Sequence, residues 1–320
     1  MGALRGNRGL GLLILLVVIA LAPALFPSNF YYRIGVLIFI NAIAVTGLVI
    51  LFGYAGQISL GHGGFFGIGA YTCAIGPSAL GLPPALCLVL GALLSAAVAW
   101  AFGRPALRLK GVYLAVATLG FGILVGMVLN NEAQWTGGPD GMPVDDPGLR
   151  DLLRDLGLRV GTSESWYWFT GALLLIGALL AVNLRDSPTG RALRALHDSE
   201  VAARTIGIDV ARFKLAAFVI SAVYASVAGS LLAQFNRFIS PDVAGFLHSV
   251  ELVTMTVLGG AGTVLGGIVG AALLTALPQV LTVFQEYEHI ILGLIMMLVM
   301  IFLPVGLLPS LRRLLRGGEA

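Results

Sequence analysis

The stretch GQISLGHGGFFGIGAY, residues 56–71, crowds glycines together with Gln57, Ser59 and His62 in a chain that is otherwise mostly Leu, Val, Ile and Ala. The apolar runs on either side place this stretch at or inside a membrane, where unpaired polar groups are costly. Four kinds of feature have to be weighed for it: a phosphate-binding loop, a metal site, a packing seam and the wall of a polar path.

The first two of these features do not fit the residues. A dinucleotide loop needs G-x-G-x-x-G between a strand and a helix, whereas Phe66 takes the place of the third glycine, and no GK[ST] sequence occurs in the chain. A metal site needs three or four converging ligands. His62 has no partner at its depth, because His197 falls in a loop on one side and His248 and His289 fall at the other edge. We therefore expect neither a nucleotide nor a metal here.

Two interpretations remain open for residues 56–71. Small residues let helix backbones approach closely, and the spacing of Gly63 and Gly67 is the familiar one for helix packing in membranes. Alternatively, a broken helix lines a polar cavity, because irregular backbone at membrane depth is tolerated only inside protein or against water. In that case Gln57, Ser59 and His62 face the cavity, and both interpretations can hold together.

The composition indicates an integral membrane protein. Of the 320 residues, 58% are hydrophobic and 11% are charged, and the mean hydropathy is +0.95. A soluble domain carries about 25% charged residues, so this chain is too poor in charge to cover a globular surface. The net charge of +3 is spread over loops without a dense basic run, which argues against nucleic acid as a partner. Cys73 and Cys87 fall in apolar stretches, so we expect buried free thiols.

Ten apolar segments predict an all-α polytopic membrane protein with about ten transmembrane helices in a single domain, residues 1–320. The eighth segment has about ten residues, short of the roughly 20 that span a bilayer. It is a half-helix, a crossing, or the start of a helix that continues into the ninth through the glycines at 259–262. The segments are 10–26, 31–52, 57–76, 83–103, 111–130, 166–184, 213–235, 249–258, 262–283 and 289–308.

Basic residues predict the orientation, because Lys and Arg accumulate in cytoplasmic loops. Fourteen of the nineteen fall on the side of the N-terminus, and eleven of the sixteen acidic residues fall on the other side. We therefore expect both termini in the cytoplasm. The inside loops are 1–9, 104–110, 185–212 and 309–320, and the long periplasmic loop is 131–165, with turn residues at 137–141 and an amphipathic stretch at 149–158.

The N-terminus imitates a secretory signal. Arg5 and Arg8 precede an apolar run, and Ala22-Pro23-Ala24 has the form of a cleavage site. The run is longer than most signal cores and no soluble domain follows it, so we expect a retained first helix. The number of membrane crossings does not decide whether the first helix is retained, because nine helices with an outside N-terminus also put the C-terminus inside.

The inside loop 185–212 carries the strongest functional signal. Ser187-Pro188 is typical of a helix start, and Arg191 and Arg194 lie one turn apart on the helix that follows. Asp198 and Ser199 can cap a second short helix, predicted over 200–206 and ended by Gly207.

The second short helix has a narrow face formed by Ala202 and Ala203, and Glu200 complements the helix dipole at its start. Such a helix suits a groove on another protein. The alternative is a connector that lies on the membrane surface with its arginines toward anionic lipid.

Further polar groups in the spans are Asn41, Thr118, Gln234 and Glu251. An ionisable residue inside a membrane is a functional hypothesis by default, and Glu251 is the carboxylate best placed for it. It lies near the outer end of the eighth segment, so a cap or an inter-helix hydrogen bond is an equal alternative. The residues predicted to line a translocation path are Gln57, Ser59, His62, Thr118 and Glu251.

Several stretches of the chain resemble the motifs of a known family. Residues 200–207 fit E-x-A-A-x-x-x-G and resemble the EAA coupling motif of ABC-importer permeases, although Val201 replaces its first Ala. Nearly the whole chain resembles the LivM-type branched-chain amino acid permeases. The stretches that carry this resemblance, in family order, are GYAGQISLGHGGFFGIGAY (53–71), LKGVYLAVATLGFG (109–122), WTGGPDGM (135–142), SPTGRALRALHDSEVAARTIGIDVARFKLAAFVISA (187–222) and SVELVTMTVLGGAGTVLGGIVGA (249–271).

The resemblance implies a type II ABC importer permease of the vitamin B12/ribose-permease kind, multi-pass in the bacterial inner (plasma) membrane. It implies a second, LivH-like permease as a heterodimer partner, two cytoplasmic ATPase subunits and a periplasmic substrate-binding protein. The chain would bind no cofactor itself, and ATP and Mg would be used by the ATPases. The residues that the resemblance assigns to ATPase coupling are Arg191, Arg194, Glu200, Ala202, Ala203 and Gly207.

Other functions stay open beside this one. Urea or short-chain amides are alternative substrates, because LivM-like subunits serve them too. An ion-coupled secondary transporter needs a buried acid or a cation-binding cluster, for which Glu251 is the candidate. A membrane-embedded enzyme needs a carboxylate pair, a His cluster or a Ser-His-Asp set at one depth, and the sequence predicts none. A transport permease subunit that is not itself an enzyme is therefore the prediction.

Overall fold

Helices account for almost all of the protein that a computed structural model describes, which is residues 2–147, 161–280, 293, 297, 301 and 306–310. Very short pieces of other structure join them. In chain order the helices are α1 (Gly2–Leu21), α2 (Asn29–Leu48), α3 (His62–Leu80), α4 (Pro84–Ala106), α5 (Val112–Asn131), α6 (Ala133–Thr136), α7 (Thr162–Asp186), α8 (Pro188–Asp198), α9 (Glu200–Thr205), α10 (Val210–Asn236), α11 (Phe246–Gly259) and α12 (Val264–Val280).

Five helical segments in the described part of the chain are long and apolar enough to cross a membrane: Asn29–Tyr54, α4, α5, α7 and α10. They correspond to the predicted segments 31–52, 83–103, 111–130, 166–184 and 213–235, so the prediction of a polytopic membrane protein is confirmed. The first predicted segment overlaps α1 and the 3₁₀ turn Ala22–Leu25. The amphipathic stretch 149–158 and most of the tenth segment lie outside the described residues.

Two helices form the centre of the bundle. The most apolar part of Asn29–Tyr54 is 78% buried and that of α10 is 56% buried, against 22–33% for the other three long helices. α7 and α12 pack on α2, while α3 and α4 pack on α10. The helices with exposed apolar faces, α4, α5 and α7, therefore form the outer wall that lipid or another subunit would cover.

The glycine-rich stretch contains a break in the helical structure. α2 continues into a π-helical turn, Val49–Tyr54, and residues 55–61 are non-helical before α3 begins at His62. The prediction that the third segment begins near residue 57 is therefore wrong by about one turn. Gly56 has a φ of 65°, which turns the chain out of the helix. The residues on both sides of this turn are mostly apolar, so the hydropathy pattern alone does not reveal the break in the helix.

α3 and α10 are packed with their backbones in direct contact. A Cβ atom on Gly229 would overlap the carbonyl oxygen of Phe66, and one on Gly69 would overlap that of Ser226. The hydroxyl of Ser230 donates to the carbonyl oxygen of Gly69 at 3.0 Å. Glycine is therefore required at these crossing points, and the prediction of a packing seam in residues 56–71 is confirmed.

The eighth predicted segment is α11, a helix of 14 residues. At 1.5 Å per residue it is about 21 Å long, short of a hydrocarbon core of about 30 Å. α11 and α12 pack as an antiparallel hairpin, in which Gly259 lies against Gly266 and Gly270 lies against Met255. The alternative of one continuous helix through 259–262 is therefore wrong.

On the side where α5 ends and α7 begins, the loop after α5 is tied to the end of α10. β1 (Met142–Pro143) pairs antiparallel with β2 (Phe238–Ile239). The backbone N–H of Val144 donates to the carbonyl oxygen of Arg237 at 3.0 Å, and the Arg237 guanidinium forms an ion pair with Asp146. Elsewhere, Cys73 and Cys87 are buried free thiols, as predicted.

Candidate translocation and coupling sites

The imidazole of His62 lies fully buried at the first residue of α3. Its Nδ1 is 2.9 Å from the Ser59 hydroxyl, and its Nε2 is 2.7 Å from the Ser221 hydroxyl. Ser221 is the twelfth residue of α10, which places it about 17 Å along a helix of about 40 Å. His62 therefore lies at the level of the first half of α10, and each ring nitrogen has a hydroxyl partner.

Residues 55–61, which we call the broken segment, are held in place by side chains from two other helices. The backbone N–H of Leu60 donates to the hydroxyl of Thr118 on α5 at 3.1 Å. Just after the segment, the N–H of Gly63 donates to the hydroxyl of Ser249 on α11 at 2.9 Å. Backbone donors left by the missing helical turn are thus paired, as irregular backbone inside a membrane requires.

Gln57 differs from the other polar residues of the broken segment. Its side chain is 3% exposed, and neither atom of its amide group has a hydrogen-bond partner among the described residues. It lines a cavity of about 10 Å³ with Ser59, Val253 and Thr256, room for about one water molecule. A buried amide left without any partner costs about 1–3 kcal/mol, so Gln57 is placed to bind a water or a polar solute in this cavity.

The five residues predicted to line the path do not all meet. Gln57, Ser59, His62 and Thr118 cluster around the broken segment. Glu251 lies apart from them, with a side chain that is 60% exposed and paired with His248 at 3.5 Å. On α11 the residues that face the cluster are Ser249, Val253 and Thr256. Glu251 falls outside that series because its position in the helical repeat points elsewhere.

The predicted inside loop folds into two helices, α8 and α9, which we call the coupling hairpin (residues 187–207) after its predicted role. The Ser187 hydroxyl caps α8 by accepting from the N–H of Gly190 at 3.1 Å. The Ser199 hydroxyl caps α9 by accepting from the N–H of Ala202 at 3.2 Å. Gly207 follows with a φ of 83°, a conformation that favours glycine. The sequence therefore predicts this hairpin to within one residue at the end of α9.

One side of α9 faces the protein. Ala203 is buried, packed in a cluster with Leu196 and Val210, and Glu200 forms an ion pair with Lys214 on α10. The narrow alanine face predicted for docking is thus only half available, because Ala203 secures α9 to its own chain. Ala202 remains exposed.

Two aliphatic side chains are exposed in this region, Val201 on α9 and Ile206 directly after its last residue. Val201 is 73% exposed and Ile206 is 72% exposed. Apolar side chains exposed at a short, capped helix can insert into a hydrophobic groove on a partner. Sequence reasoning treated Val201 only as a departure from a motif and did not single out Ile206.

Arg191 and Arg194 close the joint between α7 and α8. The guanidinium of Arg191 donates to the carbonyl oxygen of Asp186 at 3.1 Å, and that of Arg194 donates to the carbonyl oxygen of Arg185 at 3.4 Å. Both carbonyls belong to the last residues of α7, where a helix leaves acceptors unpaired. The two arginines therefore hold the coupling hairpin at a fixed angle to α7.

The coupling hairpin touches the start of the broken segment. A Cβ atom on Gly56 would lie 3.1 Å from Nδ1 of His197, near the end of α8, so the imidazole rests against the Gly56 backbone. A displacement of α8 therefore acts directly on the residue where the helix breaks, six positions before His62.

Comparison with known proteins decides the family. The family described as "Branched-chain amino acid transport system / permease component" matches residues 30–300. The chain belongs to this family of permeases. No solved structure matches it.

Individual relatives of this permease agree with that assignment. The LivM branched-chain amino acid permease of Salmonella typhimurium is 38% identical, covering 96% of this chain and 77% of the relative. The LivH permease of the same organism is 28% identical, covering 83% and 90%. LsrC, an autoinducer 2 import permease of Klebsiella pneumoniae, is 32% identical over 58% of this chain. The permease thus resembles both LivM and LivH subunits.

Besides Ile206, sequence reasoning missed Ser221, Ser249, the contact of His197 with Gly56, and Lys214 in its role as an ion-pair partner. Serines are common in membrane helices, and their position relative to His62 depends on how α10 and α11 cross α3. Within the described residues, no group of three or more His, Cys, Asp and Glu side chains is placed to hold a metal ion.

Proposed function

We propose that this chain is a membrane-spanning permease subunit of an ATP-driven importer that carries branched-chain amino acids into the cytoplasm of a bacterium, across its inner membrane. The observation that carries the proposal is the coupling hairpin, which presents Val201 and Ile206 outward while its other side is locked to α10. Family membership and 38% identity to a LivM permease support both the role and the substrate.

The proposed assembly needs further subunits. Two cytoplasmic ATPases supply the driving force, using ATP and Mg that this chain does not bind, and a periplasmic binding protein delivers the substrate. Similarity to both LivM and LivH supports a permease pair, with a LivH-like subunit as the partner. The orientation follows from the basic residues, which put the coupling hairpin in the cytoplasm with both termini.

In this proposal, movement of the ATPases reaches the path in two steps. The docked coupling hairpin moves as one piece with the end of α7, because Arg191 and Arg194 fix the joint between them. His197 then displaces Gly56, and the broken segment shifts against α5, α10 and α11. Gln57, whose amide has no hydrogen-bond partner among the described residues, is the side chain that gains partners when this region opens.

An ion-coupled secondary transporter receives no support from the structure. It needs a desolvated carboxylate or a cation-coordinating set within the spans. Among the described residues, the charged side chain that is buried is a cation, Lys214. The candidate carboxylate, Glu251, is largely exposed. Urea or a short-chain amide remains an alternative substrate within the same class of importer.

The proposal is tested by purification in gentle detergent and reconstitution in liposomes with the binding protein. We expect two ATPase subunits and a second permease to co-purify with the chain. In liposomes, leucine uptake should require ATP on the side of the membrane that corresponds to the cytoplasm. Uptake should persist with an uncoupler and be reduced by valine or isoleucine but not by urea or acetamide. A lone chain whose transport collapses with the uncoupler would refute it.

A further inference from the structure

A large cavity lies beside the coupling hairpin, between the end of α4 and the start of α10. Its volume is about 800 Å³, within the range of about 300–1,000 Å³ that is usual for small-molecule sites. Six cationic and two acidic side chains line it. The cationic ones are Arg104, Arg108, Lys110, Arg204, Arg212 and Lys214.

The two acidic residues of this cavity are already engaged. Glu200 pairs with Lys214, and Arg204 is 4.0 Å from the same carboxylate. Asp209 caps α10 by accepting from the backbone N–H of Arg212 at 3.1 Å. Among the residues that line the cavity, Glu200 is the carboxylate that forms ion pairs, and its partners are Lys214 and Arg204. The cavity thus holds an excess of positive charge that calls for an anion.

The surroundings of the cavity are those of a lipid rather than of a soluble anion. The Arg104 guanidinium lies 3.8 Å from the centre of the Trp100 ring, which is itself about half exposed. Tryptophan is enriched where the acyl chains of a membrane meet the head groups. Val112 and Tyr113, at the start of α5, are 76% and 77% exposed beside this charged surface. Along the chain, Lys110 of the cavity is thus followed within three residues by exposed apolar side chains at the start of a membrane-spanning helix.

We propose that this cavity binds the phosphate head group of an anionic phospholipid, with the acyl chains lying along α4 and α5. Arg104 and Arg108 contact the phosphate from the α4 side, and Arg212 contacts it from the α10 side. Basic pockets between helices at the cytoplasmic face are suited to such head groups. The site is separate from the proposed transport path, and its occupancy does not depend on which solute is carried.

The test uses the complex as purified, placed in phosphatidylcholine nanodiscs and titrated with phosphatidylglycerol. Lipid retained after mild detergent release is counted by native mass spectrometry. Replacing both arginines (R104Q with R108Q) should weaken phosphatidylglycerol binding about 25-fold, since each basic side chain near an anionic surface contributes about fivefold. The charge-preserving pair R104K with R108K should restore most of the binding, and an unchanged melting temperature of both pairs would show that the variant chains are folded.

The matched control is R191Q with R194Q, which removes the same charge from the same side of the membrane at residues outside the cavity. We expect it to retain phosphatidylglycerol. An equal loss in both pairs would mean diffuse surface attraction and would overturn the proposal. So would equal competition by glycerol 3-phosphate, which would assign the site to a soluble phosphate. Loss of accompanying subunits from R104Q/R108Q with unchanged lipid binding would assign the cavity to a protein contact instead.

Discussion

The broken segment and the coupling hairpin are both short interruptions between long apolar helices, and both depend on glycines and hydroxyl side chains. They differ in what surrounds them. His62, directly after the broken segment, is fully buried. Hydroxyl groups on α5 and α11 accept hydrogen bonds from the backbone N–H groups of Leu60 and Gly63. Val201 and Ile206 on the coupling hairpin are more than 70% exposed, and its caps come from its own Ser187 and Ser199.

This difference separates stability from function along the chain. A change near the broken segment disturbs packing among α3, α5, α10 and α11, so it acts first on folding. A change on the exposed side of α9 leaves the packing intact and acts on docking. Gly56 and His197 lie where the two regions meet. Substitutions in each region therefore test whether effects on stability and effects on docking are separate.

The largest effect on stability is expected for Gly229→Ala, in the seam that carries the broken segment. The added Cβ would overlap the carbonyl oxygen of Phe66, and overpacking costs about 1–3 kcal/mol or more where backbone cannot move. We expect a melting temperature lowered by many degrees and a reduced yield of folded protein. Gly126→Ala is the control, because its Cβ would meet no atom within 4 Å. Equal stability of the two variants would mean that the seam does not exist.

The next effect is expected on uptake rather than on folding. Val201→Asp combined with Ile206→Asp places charges on the two proposed anchors, and a charge buried in an interface without a partner costs about 3–5 kcal/mol. ATP-driven leucine uptake should fall at least about 30-fold while the melting temperature changes little. Val201→Leu combined with Ile206→Leu keeps both anchors apolar and should retain most of the uptake. Normal uptake by the α9 variant would contradict the docking role.

A smaller effect, with opposite signs in stability and transport, is expected at Gln57. Gln57→Leu removes an unpaired buried amide, so we expect a stability gain of about 1–2 kcal/mol together with slower uptake. Gln234→Leu is the matched comparison, because that amide donates to the carbonyl oxygen of Pro84 at 3.0 Å and to the sulfur of Cys73. Its loss should destabilise the protein. If Gln57→Leu lowers stability like Gln234→Leu, the Gln57 amide has a partner and the cavity is structural.

Much of the difference between the broken segment and the coupling hairpin could be predicted from the sequence. Hydropathy and basic residues mark the spans, and Ser187, Ser199 and Gly207 mark the ends of α8 and α9 because capping is local chemistry. The resemblance in residues 53–71 and 187–222 indicates the family, which the match over residues 30–300 confirms.

The parts that sequence could not supply depend on contacts between distant residues. The start of α3 at His62, rather than near residue 57, follows from a turn at Gly56 and from hydrogen bonds to Thr118 and Ser249. Glu251 was a reasonable candidate because it is ionisable and near a span, yet its exposure is set by how α11 is rotated. Which alanine of α9 is buried likewise depends on packing against Leu196 and Val210.

The most direct test of the account is a cross-link from the coupling hairpin. Ile206→Cys provides an exposed thiol, whereas Cys73 and Cys87 are buried and should not react. In the purified complex, a short bis-maleimide linker should join this cysteine to an ATPase subunit, and ATP should change the yield. Tyr113→Cys, equally exposed on α5, should give no such product. If Ile206→Cys forms no cross-link to an ATPase while Tyr113→Cys does, the coupling hairpin is not where the chain receives its driving force.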